Sequence, residues 1–189
     1  MIGRSSLVLV AGVPVLAPAP HVSEARIRIA KALPLTDLYR QIAGPRWVDR
    51  HAQARAESRL NPRIRAIDGG MGLGQFMPAT WVQWGNGGDP FDPMNNASAQ
   101  HRYMNYLEGR TGEYHAALGS YNAGLGSIRK AQRLASSIGL NGPDAWLQTL
   151  PRVTGINKFT GKPNANITRD YIARNDQFRA ELHAAFPGE

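Results

Sequence analysis

Glu57 is followed by Ser58 and, a few residues on, by Asn61-Pro62. Pro62 disfavours the helical state at Asn61, so a helix running from Arg46 to about Arg59 has to stop there. Glu57 then falls in its last turn, where unpaired carbonyls carry partial negative charge and favour a neutral acid over a carboxylate. Arg55 and Arg59 oppose that effect unless they point to solvent. A glutamic acid kept protonated near neutral pH suits general-acid work on a glycosidic oxygen. A glutamate met at random is usually a solvated surface side chain, so its position alone does not assign the role.

Two further clusters supply groups of the kind that sugars bind. The run Gly69-Gly70-Met71-Gly72-Leu73-Gly74 lets backbone approach a ligand closely, and it ends in Gln75-Phe76-Met77-Pro78. Gln75 offers an amide to hydroxyl and acetamido groups, and Phe76 and Met77 offer apolar surface to a ring face. The run is not a phosphate cradle, because no clear strand precedes it and no Lys-Ser/Thr follows Gly74. Tyr121-Asn122-Ala123-Gly124 presents a phenol and an amide at the end of another helix, although a packing tyrosine before an Asn/Gly helix stop reads the same way. Tyr171, placed in the first turn of the last helix, has by itself the character of a core residue.

Other chemistries find little support. The five histidines show no metal-ligand spacing, no Gly-x-Ser-x-Gly elbow occurs, and there is no cysteine to form a disulfide, a thiolate zinc site or a nucleophile. No metal and no cofactor are expected. Asn96-Ala97-Ser98 and Asn166-Ile167-Thr168 match glycosylation acceptors. The net charge of +8 favours an anionic partner, with a local concentration at Arg46, Arg50, Arg55, Arg59, Arg63 and Arg65. Charge alone would put nucleic acid first, but no nucleic-acid-binding signature accompanies it.

The elements that must position these groups are helices separated by Gly/Pro/Asn loops. Helices are expected over Ser23–Ala32 (broken near Pro34), Thr36–Ile42, Arg46–Arg59, Ala79–Trp84, Asn96–Glu108, Glu113–Tyr121, Ser127–Ser137 and from Thr168 toward Phe186. The stretch Gly139–Asn166 reads as loop, because it holds Pro143, Pro151 and Pro163. The glycine cluster reads as a loop or small strand pair. The fold class is mainly α: one domain of packed helices over 21–189, with a glycine-rich lobe beside a cleft. Residues 1–20 form a separate apolar segment. Its uncharged run from Ser5 to Pro20 follows Arg4 and suits an export signal or signal-anchor, cleaved or retained.

Taken in order, four segments resemble the lytic transglycosylase family, the soluble lytic transglycosylase and goose-lysozyme-like proteins. They are Glu57-Ser58-Arg59-Leu60-Asn61-Pro62, Gly72-Leu73-Gly74-Gln75-Phe76-Met77-Pro78-Ala79-Thr80, Ser120-Tyr121-Asn122-Ala123-Gly124 and Thr168-Arg169-Asp170-Tyr171. The resemblance covers about Gln41 to Asn175. It implies a lysozyme-like fold and cleavage of the β-1,4 bond between N-acetylmuramic acid and N-acetylglucosamine in peptidoglycan. Glu57 would act as acid and then as base, leaving 1,6-anhydromuramyl ends without consuming water. Ser58 would orient Glu57; Gln75, Tyr121 and Asn122 would contact the sugar; Phe76 and Met77 would shape the cleft; Tyr171 would sit beside the acid.

Two features depart from or complicate the pattern. The family often has glutamate before the Thr-Arg of the last segment, where this chain has Ile167, which leaves Asn166 to take over its bonds. Asp68, eleven positions after Glu57, could bring a second carboxylate to the cleft and permit hydrolysis, which usually needs two. The alternatives to a transglycosylase are thus a muramidase on the same fold or a non-catalytic murein-binding or phage structural module. The resemblance further implies a monomer in the periplasm or cell envelope, or in a host periplasm as a phage endolysin. It would not act on nucleic acid, and its N-terminal segment would touch the membrane transiently.

Overall fold

The computed structural model describes residues 33–189. The apolar segment 1–20 and the helix expected over Ser23–Ala32 lie outside them. The described chain runs through α1 (Leu33–Ala43), a 3₁₀ turn (Gly44–Arg46), α2 (Trp47–Ser58), α3 (Pro78–Trp84), α4 (Pro93–Thr111), α5 (Tyr114–Ala123), α6 (Leu125–Ser137), α7 (Trp146–Val153) and α8 (Asn164–Ala185). Among these residues the only β pairings are isolated bridges, two of them, Arg65 to Met71 and Met71 to Phe76, inside the glycine-rich lobe.

Local chemistry explains most boundaries. Pro34 lies in the first turn of α1, where its missing N–H costs no intrahelical bond. Helix α4 begins three residues earlier than the expected Asn96, because Asp92 caps it by accepting from the Asn95 N–H at 2.8 Å and Pro93 opens its first turn. It ends at Gly112, whose φ of 74° suits the left-handed cap.

Helix α7 corrects the loop expected over Gly139–Asn166. Pro151 sits inside it and supplies no N–H to the Leu147 carbonyl. Arg169 of α8 donates to that carbonyl instead, at 2.6 Å. Long-range rescue of this kind leaves no trace in the local sequence. Replacing Arg169 with alanine is expected to lower stability by about 1–2 kcal/mol in urea titrations, since a half-buried carbonyl loses its charged partner.

Helix α2 occupies the middle of the molecule, packed against α1, α4 and α8. Trp47, Val48, Ala52 and Ala54 are buried on it, and so are Asp49, Arg50, His51 and Gln53. Its neighbours therefore have to answer polar groups as well as apolar ones. Arg50, fully enclosed, donates to Glu108 at 2.8 Å and Asn105 at 2.9 Å. Asp49 takes Arg46 at 2.6 Å and Arg179 at 2.7 Å.

These pairs also dissolve the basic cluster read from the sequence. Arg46 and Arg50 share Glu108, and Arg55 pairs with Glu181 at 2.7 Å, so half of the six arginines are neutralised within the fold. A second apolar cluster, of Met71, Phe76, Trp81 and Ala99, lies beneath the glycine-rich lobe and ties it to α3 and α4.

Candidate active site

The last turn of α2 delivers Glu57, and the chain turns away immediately after it. Arg59 and Leu60 both take left-handed backbone angles, φ 54° and 62°. The Arg59 N–H bonds back to the Arg55 carbonyl, and the Asn61 carboxamide accepts from the Arg63 N–H at 3.0 Å. The helix thus ends at Ser58, earlier than Pro62 alone requires. Two consecutive residues with side chains in this region cost of order 1 kcal/mol or more each, and such outliers cluster at functional sites.

Glu57 is largely shielded from solvent. Burial pushes its carboxyl up from the usual glutamate range to about 7, and Asp68 pushes in the same direction. A hydrogen bond from Tyr171 and the charge of Arg174 act against the rise. Burial outweighs both, whereas the sequence suggested a helix-terminus effect. Arg55, expected to oppose the rise, faces elsewhere, over the Phe178 ring at 4.0 Å and on Glu181. Tyr171 lies in the second turn of α8, which starts at Asn164 and not at Thr168. It is buried against Glu57 and reaches the acid without offering itself to a ligand.

The glycine-rich lobe is fastened by side chains from distant helices. Gly74 has both its main-chain groups held: its N–H donates to Asn96 at 2.7 Å and its carbonyl accepts from the Tyr121 hydroxyl at 2.7 Å. Asn96 also donates to the Met71 and Pro90 carbonyls at 3.2 and 2.7 Å. Gly72, at φ 68°, leaves no room for a side chain, since a Cβ there would overlap Pro90 and Asn96. Gln75 donates to the Gly72 carbonyl at 2.8 Å.

Beside the lobe, a cavity of about 380 Å³ is lined by Ile67, Asp68, Asn122, Phe159 and Thr168 among others. Ile67 and Phe159 are well exposed there, and Asp68, on the same wall, is near enough to Glu57 to act on its charge.

Residues 51–139 match the family model described as the Transglycosylase SLT domain. That segment of the chain is similar to the lytic transglycosylase family. Over 107 residues it is 34% identical to the membrane-bound lytic murein transglycosylase F of Shewanella sediminis, an alignment that takes in 53% of this chain. Over 109 residues it is 35% identical to the protein of that name from Shewanella halifaxensis. In both cases it spans 22% of the relative's length. The fold resembles that of the 70 kDa soluble lytic transglycosylase from Escherichia coli, with a TM-score of 0.62 at 24% identity over 80% of this chain and 24% of that one. A 70 kDa soluble lytic transglycosylase in complex with bulgecin A gives a TM-score of 0.65 at 24% identity, over 89% of this chain and 28% of that one. The mainly helical, lysozyme-like architecture expected from sequence is thus the one observed.

The expected site residues divide by what they can touch. Met77 is exposed and Asn122 faces the cavity. Phe76, with 2% of its surface accessible, packs on Trp81 and Tyr121 and supports the cleft from beneath. The Ser58 hydroxyl donates to the Ala54 carbonyl at 2.9 Å, and the Tyr121 hydroxyl and Gln75 amide are engaged by the lobe.

Asn166, beside the Ile167 where the family often has glutamate, is exposed, and Arg169 reaches its side chain. Thr168 holds Asn122, donating to its carboxamide oxygen at 2.9 Å and leaving the amide N–H groups for the cavity. Asn96, matched to a glycosylation acceptor by its sequence, is wholly buried and holds the lobe. Sequence reasoning missed that role; the only local sign was a poor helix former at a helical position. Among the described residues no cluster of His, Cys, Asp or Glu could hold a metal ion.

Proposed function

We propose that this SLT domain cleaves the glycan strands of peptidoglycan between N-acetylmuramic acid and N-acetylglucosamine, without hydrolysis, using Glu57 as acid and then as base. The observation that carries this reading is a shielded glutamate poised at about 7 and acted on by Asp68, which lines a cavity that also offers Asn122 and apolar surface. Near neutral pH such a group is readily found in either protonation state, as a residue that must give a proton and then take one requires.

In the first step Glu57 protonates the bridging oxygen as its bond to the muramyl anomeric carbon breaks. Glu57, now a carboxylate, removes the proton of the muramyl 6-hydroxyl, whose oxygen bonds the anomeric carbon and closes the 1,6-anhydro ring. The proton lost in the first half returns in the second, and no water enters. Asn122 would bind the acetamido group or a hydroxyl, and Met77, Ile67 and Phe159 would meet the sugar faces. The substrate places the enzyme in the cell envelope, and the related proteins named membrane-bound support that location. No helix among the described residues is long and apolar enough to cross a membrane.

A second reading, hydrolysis on the same fold, is favoured by Asp68, a carboxylate on the wall of the same cavity. Mass spectrometry of muropeptides released from purified sacculi separates the two. Anhydromuramyl ends are expected. Reducing ends, heavier by one water, would assign the chemistry to a muramidase with Asp68 as partner.

A further inference from the structure

Behind Glu57 runs a line of buried polar side chains that no step of the proposed reaction uses. The Tyr39 hydroxyl donates to Gln100 Oε1 at 2.7 Å, Gln100 Nε2 donates to Gln53 Oε1 at 3.0 Å, and Gln53 Nε2 donates to the Tyr171 hydroxyl at 3.2 Å. Tyr171 then hydrogen-bonds Glu57. Tyr39, Gln100 and Gln53 are fully buried, and Tyr171 nearly so. They come from α1, α4, α2 and α8, so the line joins four helices.

The direction of the line is fixed at one point. Gln100 Nε2 also donates to the Arg50 main-chain carbonyl at 3.2 Å, and a carbonyl can only accept. That contact orients the Gln100 amide, which turns its oxygen to Tyr39 and its nitrogen to Gln53. Gln53 must then present its own oxygen to Gln100 and its nitrogen to Tyr171. With that amide donating to it, the hydroxyl has its proton free for Glu57.

We propose that Gln53, aligned by Gln100 and Tyr39, is a positioning residue that commits the Tyr171 proton to one carboxyl oxygen of Glu57, so that the acid carries its own proton on the other. This rests on the assignment of Glu57 as the acid. A carboxylic acid with a free choice of oxygens could turn its proton onto Tyr171, where it is useless. The alignment removes that choice and aims the transferable proton away from Tyr171. The charged and titratable groups acting on Glu57 are Tyr171 and Arg174 from α8, Asp68 from the lobe, and Tyr121 from α5. Of these, a substitution at Gln53 alters only the Tyr171 hydroxyl, to which Gln53 donates.

The test is titration of the Glu57 carboxyl by ¹³C NMR in the full chain, its signal assigned by its loss in Glu57→Gln. Gln53→Leu frees Tyr171 to accept from protonated Glu57, which favours the neutral acid. The midpoint is expected to move upward by about half a pH unit, a fraction of what a full charge-assisted hydrogen bond supplies. In a Tyr171→Phe background the same substitution is expected to move nothing further. Equal movement in both backgrounds, or none in the first, overturns the proposal. If Gln53→Leu fails to fold, Tyr39→Phe is titrated in the same two backgrounds. It is expected to give a smaller upward movement that vanishes without Tyr171, and its persistence there overturns the proposal. The titration does not depend on turnover, so an active Glu57→Gln protein would sink the functional reading without deciding this one.

Discussion

Glu57→Gln is expected to lower the rate of murein cleavage by about 10³-fold, the usual contribution of a positioned general acid, while making the protein more stable above neutral pH. Glutamine keeps the shape of the side chain and an oxygen for the Tyr171 hydroxyl, but it has no proton to give. The stability effect follows from the raised carboxyl. In the unfolded chain Glu57 ionises in the ordinary glutamate range, whereas in the fold it holds its proton to about 7. Between these values the folded state binds more protons than the unfolded one, so stability falls as pH rises through that window. Above it the buried carboxylate costs on the order of 2 kcal/mol, after allowance for partial access of water. The variant is therefore expected to match the parent near pH 4 and to exceed it at pH 8, as thermal unfolding at the two values would show. Murein clearing at the parental rate would place the acid elsewhere. A parental unfolding temperature at both pH values would remove the desolvated carboxyl from the account.

The segments that carry the family resemblance singled out Glu57 in the sequence, but not the reason for its raised carboxyl. A helix terminus was the only local cause available, and the larger cause is burial in the tertiary fold, which no local pattern announces. Helix existence was readable where caps and prolines punctuate the chain, as at Gly44-Pro45 and Asn61-Pro62. It was misread at Pro151, whose orphaned carbonyl partner is answered by Arg169 from another helix. The same distinction holds in the site. Gln75 and Tyr121 have the chemistry of sugar ligands, and sequence offers no way to see that the Tyr121 hydroxyl is already engaged by the Gly74 carbonyl and the Gln75 N–H by that of Gly72. Residue type shows what a side chain can do, and the long-range contacts decide which of those capacities remains free.

Asn96→Ala is expected to be the most damaging single change outside the acid, although the residue is buried and touches no ligand. Its side chain accepts from the Gly74 N–H and donates to the Met71 and Pro90 carbonyls, three main-chain groups of a segment with no sheet to pair them. Losing a partner strands each at about 1–3 kcal/mol if it stays buried; relaxation lowers the sum, giving a loss of about 3 kcal/mol in urea titrations. The lobe would relax by moving, carrying Asp68 and Met77 away from Glu57. Misplacement of about 1 Å among reacting groups can cost 10²-fold, so the rate should fall by about that much even where the protein is fully folded. Asn96→Asp keeps the acceptor for Gly74 but loses both donations, and should fall between the parent and alanine in rate. Tyr121→Phe releases the other side of Gly74. Because one glycine serves both contacts, the double variant should lose less stability than the two single losses combined. Strict additivity would mean that Asn96 and Tyr121 act on separate structures, and the lobe would then not be the rigid wall that a fixed acid requires.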